Sequence, residues 1–220
     1  WPVEERNLIS LGLAPFGGLC LIKMQLTNEW YFWTSALDKK TCNEIKSLGK
    51  NDFIGAQVNK KAGQEKDDKF RVSDVSWINE QWVVDLIWPY MVEANKQSGW
   101  NFDVTAVESM QITKYKPGGF YTWHRDGPSD CLSAYDMPKN KSLDGKVRKL
   151  SMTILLNGNY QGGEFQFARY RKFDCNAHTP DFKNAGSVIV FPSFIEHQVT
   201  PVTKGTRYSL VAWFVGPPFK

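Results

Sequence analysis

The sequence predicts an α+β domain in which helices fill the first half and antiparallel strands the second, the strands pairing into a sandwich or open barrel that the helices buttress on one face. Three observations carry this. Apolar and aromatic residues recur at helical spacing as far as about residue 97. Beyond that point the segments are β-rich or alternate in polarity, and Gly118-Gly119, Asn157-Gly158 and Gly162-Gly163 punctuate them. A hydrophobic content of 42% with nine tryptophans supplies enough apolar surface for one sizeable core.

Residues 1–29 read as an N-terminal extension and 30–220 as a single domain, with no internal repeat or linker. The chain begins at Trp1, and Met24 is a candidate natural start. The stretch 8–26 is apolar but broken by Pro15, Gly17, Gly18 and Lys23, unlike a signal peptide or a span. No run of about 18 apolar residues is present, so no membrane segment is expected. An aromatic strand at 30–33 leads to a helix capped by Asp38 and ending near Leu48, with Ile45 and Leu48 inward. The lysine-rich run 59–69 reads as a solvated surface loop. Ser76 is read as the cap of a second helix, in which Trp77, Val84, Ile87, Trp88 and Met91 form a core stripe that passes a kink at Pro89 and ends near Gln97. Strands are expected at 107–115, 150–156, 164–167, 187–191 and 207–215. The polar stretches 127–149 and 169–184 are too long for ordinary turns and read as insertions of the kind that form lids.

A net charge of +4, with acids and bases mixed, argues against nucleic acid as the partner. The cysteines Cys20, Cys42, Cys131 and Cys175 lack the paired spacing of a zinc site or a redox dithiol and read as free thiols of a reducing cytoplasm.

The chemistry concentrates in Tyr115-Lys-Pro-Gly-Gly-Phe-Tyr121-Thr-Trp-His124-Arg-Asp126. In an extended chain, residues two apart share a face, so His124 and Asp126 can chelate one ion. Two histidines and a carboxylate suit Fe(II) and leave coordination positions open. The sequence has three histidines. His178 lies in a polar insertion with nothing rigid to hold it. His197 follows the strand 187–191 and a Pro192-Ser193 turn that can return it to the sheet, which makes it the better third ligand. Ten residues on, Arg207 opens a strand whose alternation puts Arg207, Ser209, Val211 and Trp213 on one face. A guanidinium and a hydroxyl pointing into an apolar space call for an anion, and an arginine fork suits a carboxylate.

The order His124-x-Asp126, His197, Arg207 with Ser209 resembles the 2-oxoglutarate- and Fe(II)-dependent dioxygenases, and Tyr115 to Asp126, Gly162-Gly-Glu164, Phe191-Pro-Ser193 and Arg207 to Phe214 resemble their prolyl 4-hydroxylase and PKHD-type branch. The likeness covers about residues 71 to 218. It implies a double-stranded β-helix (jelly-roll) core, Fe(II) held by His124, Asp126 and His197, and 2-oxoglutarate as cosubstrate with its 5-carboxylate on Arg207. Ser209 is a further cosubstrate contact. Tyr115 takes the place of a tyrosine that hydrogen-bonds that carboxylate, and Ser151 is a candidate for the pocket lining. Tyr121 takes the place of a substrate-side aromatic near the metal and is the candidate catalytic side chain. Ascorbate is a further candidate cofactor. Nucleic-acid dealkylases of this class carry a second arginine where this chain has Trp213, and halogenases lack the carboxylate that Asp126 provides. The resemblance therefore implies hydroxylation of an unactivated C–H bond. The expected substrate is a prolyl residue in a peptide or protein, and Tyr121, Trp123 and Trp213 are the expected aromatics at the mouth. A free amino acid or other small molecule is the alternative, and a non-catalytic metal-binding jelly-roll module is a second.

Overall fold

The computed structural model describes residues 28–49, 52–60, 63–65, 67–128, 130–171 and 174–220. The expectations for residues 1–27, Cys20 and Met24 among them, lie outside that range. Two antiparallel sheets dominate the described residues. The larger has eight strands, with the path Tyr31–Trp33, Val188–Pro192, Val147–Leu155, Arg207–Gly216, Met110–Tyr115, Asp74–Ile78, Ile54–Gly55, and Ala106–Val107 paired beside Arg207–Gly216. The smaller runs Asp174–His178, Phe165–Arg171, His197–Val199, Phe120–His124, Arg71–Val72.

Side-chain alternation along the larger sheet builds two apolar layers from one set of strands. Val188, Val190, Met152, Ile154, Leu210, Ala212 and Phe214 point outward, where they pack with Cys42 and Ile45 of one helix and Val83, Ile87, Met91 and Ala94 of the other. Ile189, Phe191, Leu155 and Tyr115 point inward and meet Phe165, Phe167 and Val199 of the smaller sheet. The two sheets therefore face one another and the helices cover one outer face, as the sequence predicts.

The first helix, Lys39–Leu48, starts where expected, because the Asp38 carboxylate accepts from the Thr41 amide at 2.7 Å. The second starts later than predicted. Ser76 is no cap: Asp74–Ile78 is a strand paired in register with Met110–Tyr115, Trp77 is 49% exposed, and the helix runs from Gln81 to Gln97 with Glu80 at its N-cap. The edge of the larger sheet offers six residues of backbone to pair with, and that pairing outweighs the local helical pattern. Ile87 and Met91 do form the buried stripe, and the helix continues through Pro89. Asp85 and Pro89 are both exposed, so the carbonyl that the proline leaves without an N–H meets water.

Three further segments differ from expectation. Part of the lysine-rich run, expected as a loop, is in strands: Val58–Lys60 pairs with Gly63–Glu65. Phe165–Arg171 and Asp174–His178 pair antiparallel and extend the smaller sheet, with His178 opposite Phe167 and its ring stacked on Trp30 at 5.0 Å. The predicted strand at 107–115 is split into Ala106–Val107 and Met110–Tyr115, both paired with Arg207–Gly216. The stretch from 127 to 146 is irregular, as predicted, but it is tethered. The Tyr135 hydroxyl donates to Glu108 Oε1 at 2.8 Å, and the Gly145 amide donates to the Tyr135 carbonyl at 2.9 Å. Among the described residues no helix is long and apolar enough to cross a membrane. Cys42 and Cys131 are free thiols.

Candidate metal centre

The turn after Tyr115 sets up the site. Gly118 has φ of +83°, and a Cβ on Gly119 would lie 2.8 Å from the Lys116 carbonyl oxygen, so both positions demand glycine. The turn delivers the strand Phe120–His124, whose last residue lies directly across the sheet from His197, the first residue of His197–Val199. Tyr121 faces Val199 in the same pair, so three steps on one strand match two on the other. That bulge shifts the alternation and lets Tyr121 and His124 face the same cavity. Asp126 lies beyond the strand end and is fixed by its amide, which donates to the Ser193 carbonyl at 2.9 Å.

His124, Asp126 and His197 each present a ligand atom within 4.8 Å of the other two. His124 Nε2 is 3.8 Å from Asp126 Oδ1, and His197 Nε2 is 3.7 Å from Asp126 Oδ2. Each imidazole Nδ1 sits against the backbone carbonyl two residues earlier, Thr122 for His124 at 2.7 Å and Ile195 for His197 at 2.9 Å. A carbonyl only accepts, so Nδ1 carries the hydrogen and the Nε2 lone pair is left facing the centre. Burial first, and then the neighbouring His197, push the His124 imidazole down to about 3, so it is neutral and able to ligate at ordinary pH. Burial alone would raise the Asp126 carboxyl. His197, His124, Arg148 and the Ser151 hydroxyl together hold it below its ordinary value. His178 is not part of this cluster.

Ser151 sits behind the carboxylate rather than on the cavity wall. Its Oγ donates to Asp126 Oδ2 at 2.7 Å and lies 2.9 Å from Ser193 Oγ. The expectation that it lines the cosubstrate pocket is therefore corrected.

The three groups open onto a cavity of about 350 Å³ between the sheets. The predicted alternation of the last strand holds: Arg207, Ser209, Val211 and Trp213 all line it. Arg207 is 1% exposed, and its Nη1 donates to Ser209 Oγ at 2.9 Å. Its Nε and Nη2 are buried with no acceptor. Tyr115, its register partner, also lines the cavity, with the guanidinium 5.4 Å from its ring centroid. A Cβ on Gly163 would come within 3.0 Å of Arg207 Cδ, so the glycine makes room for this side chain. Tyr121 stacks on the His124 ring at 3.5 Å, and burial pushes its hydroxyl up to about 12, which keeps it protonated. Trp123 is not on the cavity wall, whereas Trp77 is.

Sequence reasoning missed several wall residues. Gln111 and Thr113 share a strand face with Tyr115, so alternation contained their signal. Arg148 was hidden inside a stretch read as an insertion, yet it begins the strand pairing of Val147–Leu155. It donates to Glu108 at 2.8 and 2.7 Å and lies 4.1 Å from the Trp213 ring centroid. Arg71, in a two-residue strand, carried no pattern at all.

The model of the 2OG-Fe(II) oxygenase superfamily matches residues 110–215, the stretch that holds the triad and Arg207. Over that stretch, 106 of the 220 residues, the chain is similar to the 2OG-Fe(II) oxygenase superfamily. A PKHD-type hydroxylase of Synechococcus sp. (strain CC9605) is 31% identical over 113 residues, which are 50% of this chain and 43% of that protein. One from Hyphomonas neptunium is 36% identical over 91 residues, 40% of this chain and 38% of that protein. The match thus spans about two-fifths of the length of these relatives. Among solved structures, a prolyl-4-hydroxylase of Pseudomonas putida has a TM-score of 0.60 at 20% identity, covering 86% of this chain and 92% of that one. A viral collagen prolyl hydroxylase from Paramecium Bursaria Chlorella virus-1 gives 0.61 at 19%, covering 86% and 97%. At such identities the likeness is one of fold, and the fold is the α+β double-stranded β-helix that the resemblance implies. The donor set fits the family's Fe(II), since two imidazole Nε2 atoms and a carboxylate converge. The orphaned Arg207 nitrogens fit a carboxylate of 2-oxoglutarate.

Proposed function

We propose that this oxygenase hydroxylates an unactivated C–H bond in an Fe(II)- and 2-oxoglutarate-dependent reaction, and that its substrate is a prolyl residue in a peptide or protein. The observation that carries the reading is a single cavity combining three convergent ligand atoms with a buried guanidinium that has two unused donors.

In this reading His124 and His197 would hold iron through Nε2 and Asp126 through a carboxylate oxygen. Once bound, the iron supplies, with 2-oxoglutarate and dioxygen, the oxidative decarboxylation to succinate and carbon dioxide that drives oxygen insertion. The chain's own residues do the orienting. Arg207 grips a carboxylate bidentately through Nε and Nη2, while Ser209 fixes its Nη1. Tyr115 borders that carboxylate. The Tyr121 hydroxyl, protonated at working pH, is a donor on the substrate side of His124. The two sheets and the apolar layer of Phe165, Phe167 and Phe191 behind His197 keep water from the reacting end.

The prolyl assignment draws support from the relatives, which are PKHD-type and prolyl hydroxylases. One neighbour, from Trichoplax adhaerens, is a prolyl hydroxylase in complex with a hypoxia inducible factor peptide fragment. Tyr121, Trp77 and Trp213 give the cavity aromatic walls suited to a pyrrolidine ring.

Succinate formation with Fe(II), with and without a proline-rich peptide and with and without ascorbate, tests this. The expected results are peptide-stimulated turnover, its loss in Asp126→Ala, and a rise of about tenfold or more in the 2-oxoglutarate KM in Arg207→Met. Full turnover in Asp126→Ala would sink the metal assignment. Absence of succinate from the wild type would leave a metal-binding module in place of an enzyme.

A further inference from the structure

Four arginines line the cavity, and three of them have evident counter-charges. Arg148 is held by Glu108, the half-exposed Arg125 faces Glu196 at 3.9 Å, and Arg207 faces the place of the 2-oxoglutarate carboxylate. Arg71 is the fourth, and it is 7% exposed. Its Nε donates to Ser73 Oγ and its Nη2 to Gln111 Oε1, each at 2.8 Å. Both acceptors are neutral, and no carboxylate among the described residues pairs with it. A buried guanidinium with neutral acceptors alone is a costly arrangement unless an anion reaches it.

Position and charge say which anion. Arg71 lies opposite Tyr121 in the smaller sheet, with its guanidinium 4.6 Å from the Tyr121 ring centroid, and that ring stacks on His124. Arg71 therefore stands one aromatic ring away from a metal ligand. Fe(II), Asp126, a 2-oxoglutarate dianion and Arg207 together are neutral, and so are the Arg148–Glu108 and Arg125–Glu196 pairs. The positive charge left over is Arg71. The unsatisfied buried groups on the wall are donors as well, namely Arg207 Nε and Nη2 and Trp213 Nε1, while Gln111 Oε1 already accepts from Arg71 and Thr113.

We propose that Arg71 is a substrate-recognition residue and selects a substrate that bears a carboxylate, either a free acid such as an amino acid or a peptide with a carboxylate beside the target residue. This rests on the hydroxylase reading and sharpens its substrate class.

The test uses protein loaded with Zn(II) and 2-oxoglutarate, which binds ligands without turnover. Three matched pairs are titrated by ligand-observed NMR: L-proline and L-prolinamide, a blocked peptide containing Asp-Pro and its Asn-Pro counterpart, and hexanoate and hexanamide. At least one carboxylate is expected to bind about tenfold or more tightly than its amide. Arg71→Gln should erase the difference and Arg71→Lys should keep part of it, with thermal melting showing both variants folded. A preference confined to the free acids identifies a small acid as the substrate class, and one in the peptide pair identifies an acidic peptide. Equal behaviour of acid and amide in every pair, absence of binding included, overturns the proposal, and so does a preference that survives Arg71→Gln. Iron-dependent succinate formation is measured separately. If no proline ligand stimulates it while the carboxylate preference stands, the prolyl reading falls and the role of Arg71 remains.

Discussion

Replacing Ser151 with alanine separates a role behind the metal from one beside the cosubstrate. The Ser151 hydroxyl gives Asp126 Oδ2 a 2.7 Å hydrogen bond and lies 2.9 Å from Ser193 Oγ, all of it buried. A hydrogen bond to a carboxylate contributes about 1.5–3 kcal/mol, and its loss frees a carboxylate that must otherwise be held in one orientation. Losing such a support behind a metal ligand typically costs about 10- to 100-fold in metal affinity. The cavity wall is untouched, because Ser151 is not part of it. Ser151→Ala should therefore weaken Fe(II) or Mn(II) binding, measured by titration calorimetry, by about 10- to 100-fold. At saturating metal its 2-oxoglutarate KM should stay within about threefold of wild type. Unchanged metal affinity with a raised 2-oxoglutarate KM would refute the reasoning and return Ser151 to the pocket wall.

Two other perturbations follow from buried charge. Glu108→Gln leaves the Arg148 guanidinium without its carboxylate and weakens the tether on Tyr135; breaking a buried pair costs about 3–5 kcal/mol. Melting should fall by roughly 10 °C and residues 130–146 should become protease-sensitive, so an unchanged melting curve would count against a structural role for this pair. In the metal-free protein, His124 is held neutral down to about 3 while its unfolded counterpart protonates near 6.5. The unfolded state thus binds more protons between those values, and stability should fall as pH drops from about 6.5 toward 3, by up to about 1.4 kcal/mol per unit. Urea melts of wild type across that range that show no slope would contradict the neutral, buried imidazole.

Side-chain chemistry and strand alternation were written along the chain, and so they were legible in the sequence. His124, Asp126, His197 and Arg207 stood out as the residue types that a metal and a carboxylate need. The face shared by Arg207, Ser209, Val211 and Trp213 followed from the period of a strand alone. The Asp38 cap and the Ile87–Met91 stripe were legible for the same reason, since caps and helical faces depend on neighbours only a few residues away.

Whatever depended on pairing between distant segments required the tertiary structure. Asp74–Ile78 became a strand because Met110–Tyr115 offered it an edge, against its own helical pattern. The bulge opposite His197–Val199 shifted the alternation of Phe120–His124, brought Tyr121 over His124 and kept Trp123 off the cavity wall. Ser151 could be placed on a strand from the sequence, but only its packing against Ser193 and Asp126 shows it behind the metal carboxylate. Arg71 is the sharpest case. Along the chain it is one basic residue among many, and only burial beside Tyr121, with no carboxylate among the described residues paired with it, makes its charge a statement about what the cavity binds. Local periodicity determined which residues could act, and long-range contacts decided which charges are left to be answered.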